Sequence, residues 1–119
     1  MIQLIGTPYK LGADGNDNAI DCIHLVFTVL QQLSIPTPPF DAAWYEASNR
    51  RILRDLLIWG NRVDIPRYDG DVVLLREKTT AFAVTWQNGL FYINKDLKAV
   101  AWCPIGILPT LYCFRTKNI

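Results

Sequence analysis

The sequence lacks a charge excess of either sign. It carries 12 Lys and Arg residues against 11 Asp and Glu residues, which leaves a net charge of +1. Proteins that bind nucleic acid through electrostatic attraction carry a clear basic excess, usually concentrated on one face. The composition therefore predicts no nucleic-acid partner. It also gives no reason to expect attraction to an anionic membrane surface.

Long apolar runs are also missing. A membrane-spanning helix needs ~20 apolar residues. The uncharged stretch 99–114 is shorter than that and contains Pro104 and Pro109. At the N-terminus, Gly6 and Pro8 come before the apolar core of a signal peptide could form. We therefore expect no membrane insertion, and a protein that is made in the cytoplasm without a signal peptide.

Cysteine is scarce, and its spacing excludes two classes of site. The three cysteines, Cys22, Cys103 and Cys113, are odd in number and widely separated, so a disulfide framework is not expected. No C-x-x-C pair is present, and a structural zinc site needs clustered Cys and His ligands. The sequence accordingly predicts no metal and no cofactor.

The sequence that remains is typical of one folded domain. The chain has 119 residues, of which 50% are hydrophobic, and we assign residues 1–119 to a single domain. A loop rich in turn-forming residues (12–18) leads into a helix that starts near Asp21 or Cys22. Apolar residues recur in this helix at intervals of three and four up to Leu33. Ser34 ends the pattern.

A second helix is predicted within residues 41–59, with Gly60 as its C-cap. Beyond Pro66 the periodicity becomes that of strands, and Asn88-Gly89 predicts a hairpin turn in which both residues have positive φ. The predicted strands are residues 72–75, 81–87, 90–94, 100–102 and 111–114. Helices followed by strands indicate an α+β domain with a small antiparallel sheet.

Cys22 is the residue with the clearest chemical potential. A helix N-terminus carries partial positive charge and unpaired N–H groups, and both favour a thiolate. The thiolate is the nucleophilic form of cysteine. The alternative is structural, because Cys22 also lies on the apolar stripe of its helix and free cysteines are among the most buried residues.

Several motifs, in order, resemble the NlpC-type cell-wall cysteine peptidases, which are small papain-like enzymes. The N-terminal Gly6-Thr7-Pro8-Tyr9 and the helix start Asp21-Cys22-x-x-Leu25-Val26 are similar to the family motifs G-x-P-Y and D-C-S-G-L-V. The proline-rich segment 38–44 resembles the short version encoded in phage tails and gene-transfer agents. Asp69-Gly70-Asp71 followed by the strand 72–74, and the closing strand 112–115, also match this version.

The resemblance implies a papain-like α+β fold with N-terminal helices packed on the sheet. It implies that Cys22 is the nucleophile, which attacks an amide of a peptidoglycan stem peptide. It further implies that the Cys22 main-chain N–H helps to hold the oxyanion and that Tyr9 lines the site. Asp21 is expected to meet the free amine of a substrate.

The resemblance fails at the general base. A cysteine nucleophile normally has a neighbouring imidazole, which also protonates the leaving amine. The family histidine opens the strand that begins here at Ala81, so Ala81 takes the position of the missing base. The one histidine of the chain, His24, lies about 200° around the helix from Cys22 and is expected at a surface or interface. Asn94 is either the third polar residue of the site or a plain strand end.

Three functions remain open on these grounds. The first is a mainly structural component of a phage tail tip or baseplate, incorporated into the virion, with a degenerate and inactive or very weak peptidase fold. Its partners are other tail or baseplate proteins, and peptidoglycan is a further candidate. The second is an active peptidase that opens the cell wall during genome delivery, with its base supplied by another chain or by bound water. The third is a pseudoenzyme or binding module of the host cytoplasm.

Overall fold

In the part of the chain that the structure describes, two helices are followed by six strands. The computed structural model describes residues 4–39, 44, 49–75 and 81–117. The elements are α1 (Cys22–Gln32), α2 (Asn49–Trp59), β1 (Gly60–Val63), β2 (Val72–Leu75), β3 (Ala81–Trp86), β4 (Gly89–Asn94), β5 (Ala99–Pro104) and β6 (Thr110–Thr116). All neighbouring strands pair antiparallel. The predicted α+β class with an antiparallel sheet is confirmed.

Helix α1 begins and ends as its sequence predicts. Asp21 is the N-cap, and its side chain accepts a hydrogen bond from the main-chain N–H of His24. At the other end Ser34 adopts a left-handed conformation with φ of 59°. The N–H of Ile35 then reaches the carbonyl of Leu30 at 2.9 Å, and the N–H of Ser34 reaches that of Gln31 at 3.1 Å. This pattern closes the helix in the manner of a Schellman motif.

The second helix is shorter than its predicted range, and Gly60 has a different role from the one expected. Residues 40–43 and 45–48 of the predicted range 41–59 lie outside the described residues. Gly60 does not cap α2, because it is the first residue of β1 and pairs with Thr116 of β6. A Cβ at Gly60 would overlap the main chain of Arg115. This close approach between two strands explains the glycine.

The six strands form one sheet in the order β1-β6-β2-β3-β4-β5. The predicted turn between β3 and β4 is displaced by one residue, because Gln87 and Asn88, with φ of 48° and 63°, form it. Gly89 already pairs with Trp86 as the first residue of β4. A Cβ at Gly89 would overlap the indole of Trp102. The glycine is therefore needed for packing rather than for its φ angle.

The strands alternate between two buried faces. One face packs against both helices, and the helix-side cluster contains Leu25, Val26, Ile52, Leu56, Val72, Leu74, Phe82, Val84, Phe91 and Phe114 among others. The residues between them point to the other face, where the second-face cluster consists of Val73, Leu75, Ala83, Leu90 and Cys113. Of the helices in the described part of the chain, neither is long and apolar enough to cross a membrane.

A buried ion pair holds the start of β2. Asp71 has no exposed surface, and its carboxylate accepts hydrogen bonds from Arg115 Nε at 2.9 Å and a second guanidinium nitrogen at 2.8 Å. The main-chain N–H groups of Arg67 and Tyr68 donate to the same carboxylate. The Arg115 guanidinium also lies 4.4 Å from the centre of the Tyr68 ring. The carboxylate is thus fully paired, as burial of a charge requires.

Candidate functional site

The Cys22 thiol lies between the start of α1 and the start of β3. Cys22 is the first residue of the helix, and its half-buried side chain packs against the helix-side cluster. Three main-chain N–H groups favour the thiolate and lower the pKa of the thiol: those of Phe82, Cys22 and Ile23. Two of these N–H groups belong to the first helical turn, which has no intrahelical acceptors for them. The expected placement of a thiol at a helix N-terminus is found.

Burial has a larger effect on the pKa of the Cys22 thiol than these N–H donors have. Burial raises the pKa of the Cys22 thiol to about 11, from an ordinary value of 9.0. The N–H groups act in the opposite direction, because they stabilise the thiolate. The carboxylate of Asp21 adds to the rise through charge repulsion. The site as folded therefore favours the protonated thiol, which is a poor nucleophile.

Asp21 is occupied by contacts within the protein. The residue is 1% exposed. Its Oδ2 accepts the N–H of Gly12 at 3.0 Å, and its Oδ1 accepts the N–H of His24 at 2.8 Å. Oδ1 also lies 2.8 Å from His24 Nδ1. A substrate amine would have to compete with these partners to reach the carboxylate.

Replacing Asp21 with alanine is expected to destabilise the protein by about 2–3 kcal/mol, because the change removes an N-cap and leaves the Gly12 N–H without its acceptor. Urea unfolding followed by circular dichroism measures the loss. Asp17→Ala, in the exposed part of the same loop, is the matched control. Equal losses for the two variants would show that the Asp21 contacts do not hold the loop to the helix.

Tyr9 lies close to both residues. Its side chain is 40% exposed, and its N–H donates to the carbonyl of Lys98 at 2.8 Å. The pKa of the Tyr9 phenol is raised, first by partial burial, then by repulsion from Cys22 once that thiol ionises, and then by the Asp21 carboxylate. The structure thus brings three of the predicted site residues together: Tyr9, Asp21 and Cys22.

The other two predicted residues share the far face of the sheet. Ala81 opens β3, as expected, but its side chain packs against the second-face cluster rather than towards α1. Asn94 ends β4, and its Oδ1 accepts the N–H groups of Asp96 and Leu97, both at 3.0 Å. Its amide nitrogen lies 3.4 Å from the Tyr92 hydroxyl. These contacts give Asn94 a role in the turn that follows β4.

His24 is more enclosed than the sequence interpretation expects. Its side chain is 22% exposed, Nδ1 contacts Asp21, and its ring meets the edge of Phe27 at a centroid distance of 6.2 Å. The sequence signal for this pairing is the spacing Asp21-x-x-His24. An N-cap side chain and the third residue of a helix commonly bond to each other.

Two aromatic residues of the cluster against which Cys22 packs were not assigned to the site from the sequence. Phe82 is 3% exposed and Trp44 is 4% exposed, and their rings stack at a centroid distance of 5.6 Å with 5° between the planes. The indole N–H of Trp44 donates to Asp55 of α2 at 2.8 Å. Phe82 belongs to the helix-side cluster, and Cys22 packs against that cluster. An apolar strand residue carries no chemical signal, so only the structure reveals this pair.

Two hollows lie beside the loop 10–19. The larger is a groove of about 610 Å³ between residues 4–8, this loop, and Thr28 and Gln31 of α1. The smaller, of about 370 Å³, is formed by the loop itself. Cys22 lines neither of them. Within the described residues, no group of three or more His, Cys, Asp or Glu side chains is placed to hold a metal ion.

Comparison with known proteins gives no match that bears on this site. No protein-family model matches the chain. No curated protein matches it in sequence either.

Proposed function

We propose that the chain is a mainly structural component of a phage tail, at the tail tip or baseplate, with a degenerate papain-like fold of the NlpC type. The resemblance of its ordered motifs supports the family and the assembly. Two features support a loss of hydrolysis: burial raises the pKa of the thiol in the nucleophile position, and the only histidine of the chain contacts Asp21.

The raised pKa of the Cys22 thiol determines how much of the nucleophilic thiolate is present at neutral pH. With a pKa of about 11, roughly one Cys22 thiol in ten thousand is ionised at pH 7. An ordinary cysteine is a few per cent thiolate at this pH. The missing base costs further orders of magnitude, because a nucleophile and its base act as a unit. Both losses together argue against useful turnover.

The surface supports a role in an assembly. Large apolar side chains are exposed in or close to the two edge strands of the sheet, β1 and β5. Before and after β1 these are Leu57, Ile58 and Ile65, which are 50%, 64% and 56% exposed. In and around β5 they are Leu97, Trp102 and Ile107. Exposed apolar residues in groups are typical of surfaces that contact other proteins.

A second candidate is a working peptidase whose base comes from another chain. The observation that favours it is the grouping of Cys22 with Asp21 and Tyr9 at the start of a helix. The three N–H groups around the sulfur could stabilise a thiolate once a neighbouring cation is supplied. In this case activity would exist only in the assembled particle.

The test combines particle sedimentation with wall digestion. We expect the chain, tagged in its own genome, to band with purified tail particles in a density gradient. We also expect isolated peptidoglycan to release the same amount of soluble peptide with particles that carry the chain and with particles that carry Cys22→Ala. A chain that never bands with particles contradicts the structural role. Release that depends on Cys22 contradicts the loss of hydrolysis.

A further inference from the structure

We propose that Phe82, with Trp44 stacked on it, occupies the place beside the Cys22 thiol from which a general base would act, and that this aromatic pair keeps the thiol inert. The proposal rests on the proposed function, since it takes the site to be a degenerate peptidase site. It changes the position assigned to the lost base from Ala81 to Phe82.

The first step is the contact between β3 and the thiol. The main-chain N–H of Phe82 lowers the pKa of the Cys22 thiol, which places the start of β3 near the sulfur. The side chain of Phe82 leaves the strand on the face that packs against α1, where it belongs to the helix-side cluster against which Cys22 packs. A side chain at position 82 is therefore next to the sulfur and on its side of the sheet.

The second step excludes position 81. Successive side chains of a strand point to opposite faces. Ala81 packs with the second-face cluster, which contains Val73 and Cys113 and lies on the far side of the sheet from α1. A larger residue at position 81 would extend into that cluster, so its ring would be separated from Cys22 by the sheet itself.

The third step concerns what the aromatic pair does. The Trp44 ring lies nearly parallel to Phe82, and the indole is fixed by its hydrogen bond to Asp55. Phe27 of α1 also contacts Trp44, at a centroid distance of 6.5 Å and with 58° between the ring planes. Apolar rings next to a thiol exclude water and so disfavour the thiolate. They offer no group that could accept the thiol proton.

An imidazole at position 82 would replace an apolar ring with a polar one and would supply a proton acceptor next to the thiol. The proton would pass from the Cys22 sulfur to a ring nitrogen, which gives a thiolate and an imidazolium that stabilise each other. The thiolate can then attack the methylene carbon of iodoacetamide, with iodide as the leaving group. Alkylation of Cys22 thus reports the restored pair without any knowledge of the natural substrate.

The experiment compares Phe82→His with Ala81→His and with Phe82→Leu in the full chain. The leucine variant opens the same space without adding a base. The rate of iodoacetamide labelling at Cys22 is measured across pH by peptide mass spectrometry, with Cys103 as the internal reference. We expect Phe82→His to label at least about a hundredfold faster than Phe82→Leu at pH 7. Ala81→His should label at the rate of the unchanged chain.

A second readout separates a base from a loosened structure. In Phe82→His the new imidazole should titrate by NMR above its ordinary pKa of ~6.5, and this rise should vanish when Cys22 is also changed to serine. Circular dichroism checks that each variant is folded. If Phe82→His does not fold, Trp44→Leu in the unchanged strand still tests the aromatic pair, and labelling should rise about tenfold.

Three results would overturn the proposal. They are faster labelling of Ala81→His than of Phe82→His, equal labelling of folded Phe82→His and Phe82→Leu, and an unchanged rate in Trp44→Leu. None of them affects the proposed function, which fails instead if the chain never bands with tail particles or if the release of peptide depends on Cys22.

Discussion

Replacing Asp71 with asparagine is expected to lower the free energy of unfolding by about 3–5 kcal/mol, which is a large part of the stability of a domain of this size. The carboxylate has no exposed surface and accepts two hydrogen bonds from Arg115 and two from main-chain N–H groups. Asparagine removes the charge and replaces one acceptor oxygen with a donor. The Arg115 guanidinium would then remain partly buried without its counter-ion.

Urea unfolding at neutral pH measures this loss, and Asp69→Asn is the matched control. Asp69 lies in the same turn but is exposed, and its carboxylate accepts only the N–H of Gln87 among the contacts described. Asparagine can make that bond too. Similar losses for the two variants would mean that the ion pair contributes little and that the turn alone matters.

Alkaline pH is expected to destabilise the protein by about 2 kcal/mol for each of two thiols between pH 9 and 11. Burial raises the pKa of Cys22 to about 11 and that of Cys113 to about 12, from an ordinary value of 9.0. The Asp71 carboxylate adds to the rise at Cys113, and Arg115 opposes it. In the unfolded chain both thiols ionise first. Stability is therefore present in full below pH 9 and falls as the pH rises towards the folded values.

The measurement is the free energy of unfolding at pH 8 and at pH 11 for the unchanged chain, Cys22→Ala and Cys113→Ala. Lysines and tyrosines also titrate in this range, but they do so in all three proteins, so their effect cancels in the comparison. Each alanine variant should lose about 2–3 kcal/mol less than the unchanged chain between the two pH values. Parallel losses would show that neither thiol has a raised pKa.

Local signals were sufficient for much of the fold. The apolar spacing from Cys22 to Leu33 and the polar residue before it fixed the limits of α1, because an N-cap and a stripe both depend on neighbours in sequence. The segment Asp69-Gly70-Asp71 is made of residues that favour turns, and Gly70 has a φ of 91°. The strand ranges were correct to within a few residues.

Features that depend on distant contacts were missed. β1 has a short and mostly polar sequence, Gly60–Val63, and it forms because β6 lies beside it, with Asn61 opposite Arg115. The hairpin turn between β3 and β4 moved by one residue because the Trp102 indole packs onto Gly89. β6 is distant in sequence from β1, and Trp102 is distant from Gly89, so no local sequence pattern predicts these contacts.

The candidate site shows the same division. The grouping of Tyr9, Asp21 and Cys22 was expected, but the occupation of the Asp21 carboxylate by Gly12 and His24 was not. In a strand, a shift of one residue moves a side chain to the opposite face. A match of short motifs can be displaced by one residue. In β3, such a displacement decides whether position 81 or position 82 is assigned to the face next to the thiol.

The pH midpoint of Cys22 alkylation in the unchanged chain tests the central claim most directly. If burial keeps the residue in the nucleophile position as a protonated thiol, the midpoint lies near 11, the folded pKa, and labelling at pH 7 is slower than for a free thiol. A midpoint at or below the ordinary value of 9.0 would contradict this, because the thiol would then be ready to act as a nucleophile.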